Sequence, residues 1–231
     1  MYKERLGRSC CLEARNNMKK KLIYGLGSGR CGTASLAYLM SLQESTHSSH
    51  ELFPILPWKG DIEALTLKWT AMDHQAHLFD SFFDAGIYYL PYVQSLISGW
   101  KDHQYAQDRY DLRFICLKRE KGEVVKSFLR KFKNQKNNPL QDHSDPELVK
   151  NEWDLSFPKY NDVTLEEAIG FFYDDYYEIA HQYEKHNTEI FRIFNTESLN
   201  SEEGVKKILS FAGYENPVIK TNIQKIFNQK I

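Results

Sequence analysis

The stretch KLIYGLGSGRCGTASLAYLMSL, residues 21–42, runs from a short apolar segment through clustered glycines into a segment whose apolar residues fall at helical spacing. KLIYGL at 21–26 reads as a buried strand, the glycines as a loop and SLAYLMSL at 35–42 as a helix. A strand that feeds a helix through glycines brings free backbone N–H groups and the positive end of a helix dipole to one point. The segment therefore predicts a phosphate or sulfate site inside an α/β unit.

Outward from that unit, a second short strand is predicted at 45–50, ending at His50-Glu51, and Pro54 and Pro57 mark an irregular loop after it. Residues 61–82 read as a helix, GIYYL at 86–90 as a strand and 91–100 as another helix. RFICLK at 113–118 is the clearest later strand, and the amphipathic stretch 121–132 follows it. Residues 133–160 break the pattern with polar residues and with Pro139, Pro146 and Pro158, an excursion read as an acceptor-side lid. Thr164 and Glu167 form a capping box ahead of Leu165, Ala168, Ile169, Phe172, Tyr176, Ile179, Ala180 and Tyr183 at helical spacing. EIFRIF at 189–194 reads as a strand, and 201–212 as a helix stopped by Gly213. Strands alternating with helices imply right-handed crossovers and an α/β three-layer sandwich, with a mainly parallel central sheet of about four or five strands.

The length of 231 residues suits one core, and no Pro-, Gly- or Ser-rich stretch divides it, so residues 18–231 are expected to form a single domain. Residues 1–17 precede Met18 and a lysine run and read as a disordered extension. A net charge of −1 argues against a nucleic-acid partner, and no apolar run approaches a membrane span or a signal peptide. Cys10, Cys11, Cys31 and Cys116 have neither disulfide-framework nor zinc spacing, which fits a reducing cytoplasm.

The loop admits three anion chemistries. Gly27 and Gly32 have the glycine spacing of an NTPase loop, but Thr33 stands where its lysine should be, which disfavours ATP hydrolysis. Gly27, Gly29 and Gly32 also satisfy GxGxxG, and Glu51 lies near the distance of a ribose-binding acid, so an NAD(P)-dependent oxidoreductase is the first alternative. A non-catalytic nucleotide-binding module is the second. The third chemistry rests on RCGTAS, residues 30–35, which resembles the 5′-phosphosulfate loop of sulfotransferases, (K/R)-S-G-T-T. Arg30 takes the basic position, Cys31 replaces Ser, Gly32 and Thr33 match, and Ala34 replaces the second Thr. Backbone donors from 31–35, with Ser35, would then carry more of the contact. Main-chain donors, a hydroxyl and one cation are what a leaving group with developing negative charge requires.

FICLKREKGEVVKSF, residues 114–128, resembles the same family's 3′-phosphate motif, a strand followed by Arg-x7-Ser. Arg119 is the arginine and Ser127 the serine, and a guanidinium with a helix hydroxyl nearby suits a dianionic phosphate. FNTESLNSEEGVKKILSFAG at 194–213 and IYYLPYVQSL at 87–96 extend the likeness to bacterial-type members, from about residue 20 to 213; the C-terminal Arg-Lys-Gly motif of the cytosolic animal branch is absent. The resemblance implies a P-loop NTPase-like sulfotransferase fold and 3′-phosphoadenosine-5′-phosphosulfate (PAPS) as donor, with PAP as product and no metal. Gly29, Arg30, Cys31, Gly32, Thr33, Ala34, Ser35, Arg119 and Ser127 would hold it. The acceptor would be a small molecule, a carbohydrate or a lipid. Related enzymes place a catalytic Glu or His near the end of the second strand, so Glu51 is the first candidate base and His50 the second, with Arg30 the cation at the transferring group. His47 has the opposite parity to His50 if 45–50 is extended.

Overall fold

Apolar residues of the first strand serve two cores at once, because alternate side chains leave a strand on opposite faces. Leu22, Tyr24 and Leu26 belong to one buried cluster and Ile23 to another. Such strands, buried on both sides, are the mark of a parallel sheet covered by helices. The computed structural model describes residues 19–76, 78–133, 139–140 and 152–223. The extension expected at 1–17, and most of the excursion expected at 133–160, lie outside the described residues.

Five parallel strands, β1 Lys20–Leu26, β2 Thr46–His50, β3 Ser81–Ala85, β4 Tyr110–Lys118 and β5 Phe191–Asn195, lie in the order β2-β3-β1-β4-β5. The helices are α1 Thr33–Ser41, α2 Ile62–Ala76, α3 Val93–Asp102, α4 Gln104–Arg109, α5 Lys121–Phe132, α6 Glu152–Leu155, α7 Leu165–His186 and α8 Glu202–Phe211. Leu36 and Met40 of α1 and Val205 and Ile208 of α8 pack with Ile23, Phe83, Ile115 and Leu117 on one face. Residues of α2, α3, α5 and α7 pack with Tyr24, Phe82, Phe114 and Cys116 on the other. From β1 the chain travels along the sheet one way to β2; from β4 it travels the other way to β5. The C-terminal ends of adjacent β1 and β4 therefore form a topological switch point, the place where open α/β sheets receive ligands.

The strand expected at 86–90 is instead a 3-10 helix, Ile87–Tyr92, and the helix expected over 61–82 ends at Ala76. The third strand is SFFDA, Ser81–Ala85, buried at every residue. Asp84 in its middle argues for a surface segment, but Lys68 of α2 lies 3.4 Å from the carboxylate and is itself buried, which makes the placement tolerable. Ile87, Tyr88, Tyr89 and Leu90 are all buried, so their run carries no alternation to separate a strand from a tight helical turn.

Both halves of the Thr164–Glu167 capping box form at the start of α7. Thr164→Ala is expected to lower stability by about 1 kcal/mol, read as a shift in the urea midpoint with unchanged slope.

Candidate functional site

The loop after β1 turns through glycine conformations. Gly29 has φ 86° and Gly32, the N-cap of α1, has φ 92°, and Arg30 between them also takes a positive φ of 57°. A Cβ on Gly29 would stand 2.8 Å from the Phe128 ring, so the loop lies directly against α5. The first intrahelical bond runs from the Leu36 N–H to the Gly32 carbonyl, 3.0 Å. The N–H groups of Thr33, Ala34 and Ser35 thus belong to the turn that a helix leaves without internal acceptors, and Gly32 supplies no side-chain cap.

Arg119, just past β4, sends its guanidinium to the same place. Its Nη1 donates to the Arg30 carbonyl at 3.2 Å, while Nη2 lies 3.4 Å from Glu123. Arg30 Nε donates to Ser127 Oγ at 2.9 Å. The two motifs, far apart in sequence, are interlocked at the switch point: each arginine contacts the other motif. Partial burial lowers the Arg30 pKa, helped by the neighbouring Arg130 and Arg119 cations. A guanidinium stays protonated in proteins, so the loop carries an excess of positive charge.

His50 ends β2, and Glu51 follows it with a left-handed φ of 61°. His50 Nε2 is 3.0 Å from Thr33 Oγ1, and His50 Nδ1 is 3.6 Å from Glu51 Oε2. Burial raises the pKa of the Glu51 carboxyl above its ordinary value; His50, Lys131 and Arg30 pull it back and Asp84 adds to the rise. His47 turns away from this group and stacks on Phe82 at 5.1 Å.

Cys31 does not present its side chain as a ligand. The thiol is fully buried, burial pushes it up to about 11, and it stays neutral at physiological pH. Its carbonyl accepts from Thr196 Oγ1 at 2.7 Å, so the residue anchors the loop. Ser35 is also buried, at 3% exposure. Of the aromatics in the irregular regions, Trp58 packs edge-on to Phe172 and Phe157 against the same ring, so both serve the core, whereas Phe53 is exposed.

Three tyrosines of α7 complete the underside of the loop. Tyr176 Oη accepts from the Gly27 N–H at 2.9 Å, Tyr177 Oη donates to the Leu117 carbonyl at 2.6 Å, and Tyr173 Oη donates to the Arg119 carbonyl at 2.6 Å. The apolar spacing of the helix places Tyr176 in the core and does not include Tyr173 or Tyr177, and only the need of a buried phenol for a partner hints at the role of the three. Among the described residues, no group of three or more His, Cys, Asp and Glu is arranged to hold a metal ion, and no helix is long and apolar enough to cross a membrane. A cavity of about 440 Å³ between α2 and α3 borders Tyr110, at the other end of β4 from Arg119.

Fold and site together define an α/β protein with an all-parallel five-stranded sheet and a basic glycine loop at its switch point. No family model and no curated protein matches the chain.

Proposed function

We propose that the chain is a PAPS-dependent sulfotransferase. The observation that carries this reading is the interlock of Arg30 with Ser127 and of Arg119 with the loop carbonyl, which brings together the two segments that resemble a 5′-phosphosulfate loop and a 3′-phosphate motif. Arg119 and Ser127 would take the 3′-phosphate, and the first-turn N–H groups, Thr33 and Arg30 the 5′ end. PAPS supplies the activated sulfuryl group. The residues of the chain would hold both ends of the nucleotide and stabilise charge on the departing phosphate. Glu51 would accept the proton of the acceptor hydroxyl.

Strand order also favours this reading over a dinucleotide oxidoreductase. A ribose-binding acid at the end of β2 serves a loop after β1 when those strands are neighbours. Here β3 lies between them.

Calorimetry with PAP, NADP and ATP in parallel tests the proposal: PAP is expected to bind and the other two to bind far more weakly. Arg119→Ala should weaken PAP binding about 10- to 100-fold, the worth of hydrogen bonds to a charged group. NADP binding that is indifferent to Arg119→Ala would turn the assignment to an oxidoreductase, and PAP binding with no transfer to any acceptor would turn it to a binding module.

A further inference from the structure

The line of contacts from Thr33 through His50 to Glu51 cannot keep the same protons when an anion enters the loop. Without one, Thr33 Oγ1 and His50 Nε2 lie 3.0 Å apart and Nδ1 faces Glu51 Oε2 at 3.6 Å. The tautomer assigned to the ring turns Nδ1–H toward the carboxylate and makes the Thr33 hydroxyl the donor. A neutral imidazole satisfies both contacts. Thr33 opens α1 at the N-terminal turn, and its single hydroxyl proton is the one a phosphate or sulfate oxygen there would take. The hydroxyl must then accept from His50, so Nε2 must carry a proton. If the imidazole stayed neutral, Nδ1 would become a lone pair aimed at a carboxylate. Protonating Nδ1 removes that conflict and sets a cation between the carboxylate and the bound anion.

We propose that His50 is a positioning residue of the nucleotide side of the site, which takes up a proton when the 5′-phosphate binds and leaves Glu51 to serve the acceptor. The inference rests on the sulfotransferase reading. Around the pair, Arg30 of the loop and Lys131 of α5 oppose the added proton, Asp84 of β3 favours it, and the bound dianion adds to the favourable side. Arg119 and Arg130 stand beyond Arg30. An imidazole that serves as the base must present a free nitrogen to the acceptor; here one nitrogen is committed to Thr33 and the other faces Glu51.

The test is calorimetric titration of the full chain with PAP near pH 7.5, in buffers of different ionisation enthalpy. The phosphates of PAP shed their own protons on binding, since their second ionisation falls near pH 6, so the wild type is compared with His50→Gln and Thr33→Val. The wild type should take up more protons than either variant. Its PAP affinity should fall on the alkaline side by up to about tenfold per pH unit relative to His50→Gln, the slope of a one-proton linkage. Ring-nitrogen NMR of the wild type needs no variant, and should show one imidazole turning cationic at saturating PAP. Equal proton uptake in all three proteins, with PAP bound and no new imidazolium, overturns the role of His50 and leaves the sulfotransferase reading standing. Absence of PAP binding to the wild type overturns both.

Discussion

Lys68→Ala is expected to destabilise the fold by about 3–5 kcal/mol, the cost of leaving a buried ion partner uncompensated. Lys68 is fully buried beneath the segment that follows β2, with its Nζ 3.4 Å from Asp84. The ammonium also donates to the Leu52 carbonyl, to the Pro54 carbonyl at 3.1 Å and to Tyr88 Oη at 3.0 Å. Asp84 accepts from Tyr89 Oη at 2.6 Å, Ser49 Oγ at 3.0 Å and the Leu52 N–H at 3.1 Å. Truncation takes the ammonium from the Pro54 carbonyl, leaves the Leu52 carbonyl with Tyr88 Oη at 3.3 Å, and removes the one cation within ion-pair distance of that carboxylate among the described residues. A loss of this size is a large share of the stability of an ordinary domain. Urea unfolding followed by circular dichroism measures it, and a loss under 1 kcal/mol would contradict the account.

The same lysine gives a pH signature. Burial lowers its pKa to about 8, against 10.5 for a free side chain. Between those values the unfolded chain binds the additional proton, so this contribution to stability rises with pH across the window. Below it Lys68 is charged in both states, and the full cost of burying the charge applies. In Lys68→Met the rise should vanish.

The glycine loop between β1 and α1 was legible in the sequence as a local pattern, and the Arg119–Ser127 segment through its resemblance to a family motif; that the two meet at the switch point is what the structure adds. Nothing local says that Tyr176 caps the Gly27 N–H, since the partners are 149 residues apart and the tyrosine also satisfies the apolar stripe of α7. The third strand failed for a related reason. SFFDA buries an aspartate that Lys68 pairs and that Tyr89, Ser49 and the Leu52 N–H satisfy, and that arrangement exists in three dimensions alone. Glu51 was legible as a strand-end acid. Its distance from the loop depends on β3 lying between β2 and β1, which single-sequence patterning does not determine.

On the proposed sulfotransferase reading, Glu51→Gln is expected to reduce sulfuryl transfer by about 10²- to 10⁴-fold, the range of a general base, while PAP affinity stays within a few-fold of the wild type. The substitution keeps the shape of the side chain and removes its ability to accept a proton. Transfer is measured with radiolabelled PAPS on an acceptor drawn from a panel of alcohols, sugars and lipid alcohols. A base acts when ionised, and burial holds the Glu51 carboxyl of the free enzyme above its ordinary value, so kcat/KM should climb with pH through a limb displaced upward from that of a solvated carboxylate. The carboxylate is the working form, so the limb must rise, not fall, with pH. Glu51→Gln should flatten it, whereas His50→Gln should keep it and alter the pH dependence of PAP binding instead. If the rising limb survived in Glu51→Gln and disappeared in His50→Gln, the proton would be passing to the imidazole, and the division of labour between the two residues would be reversed.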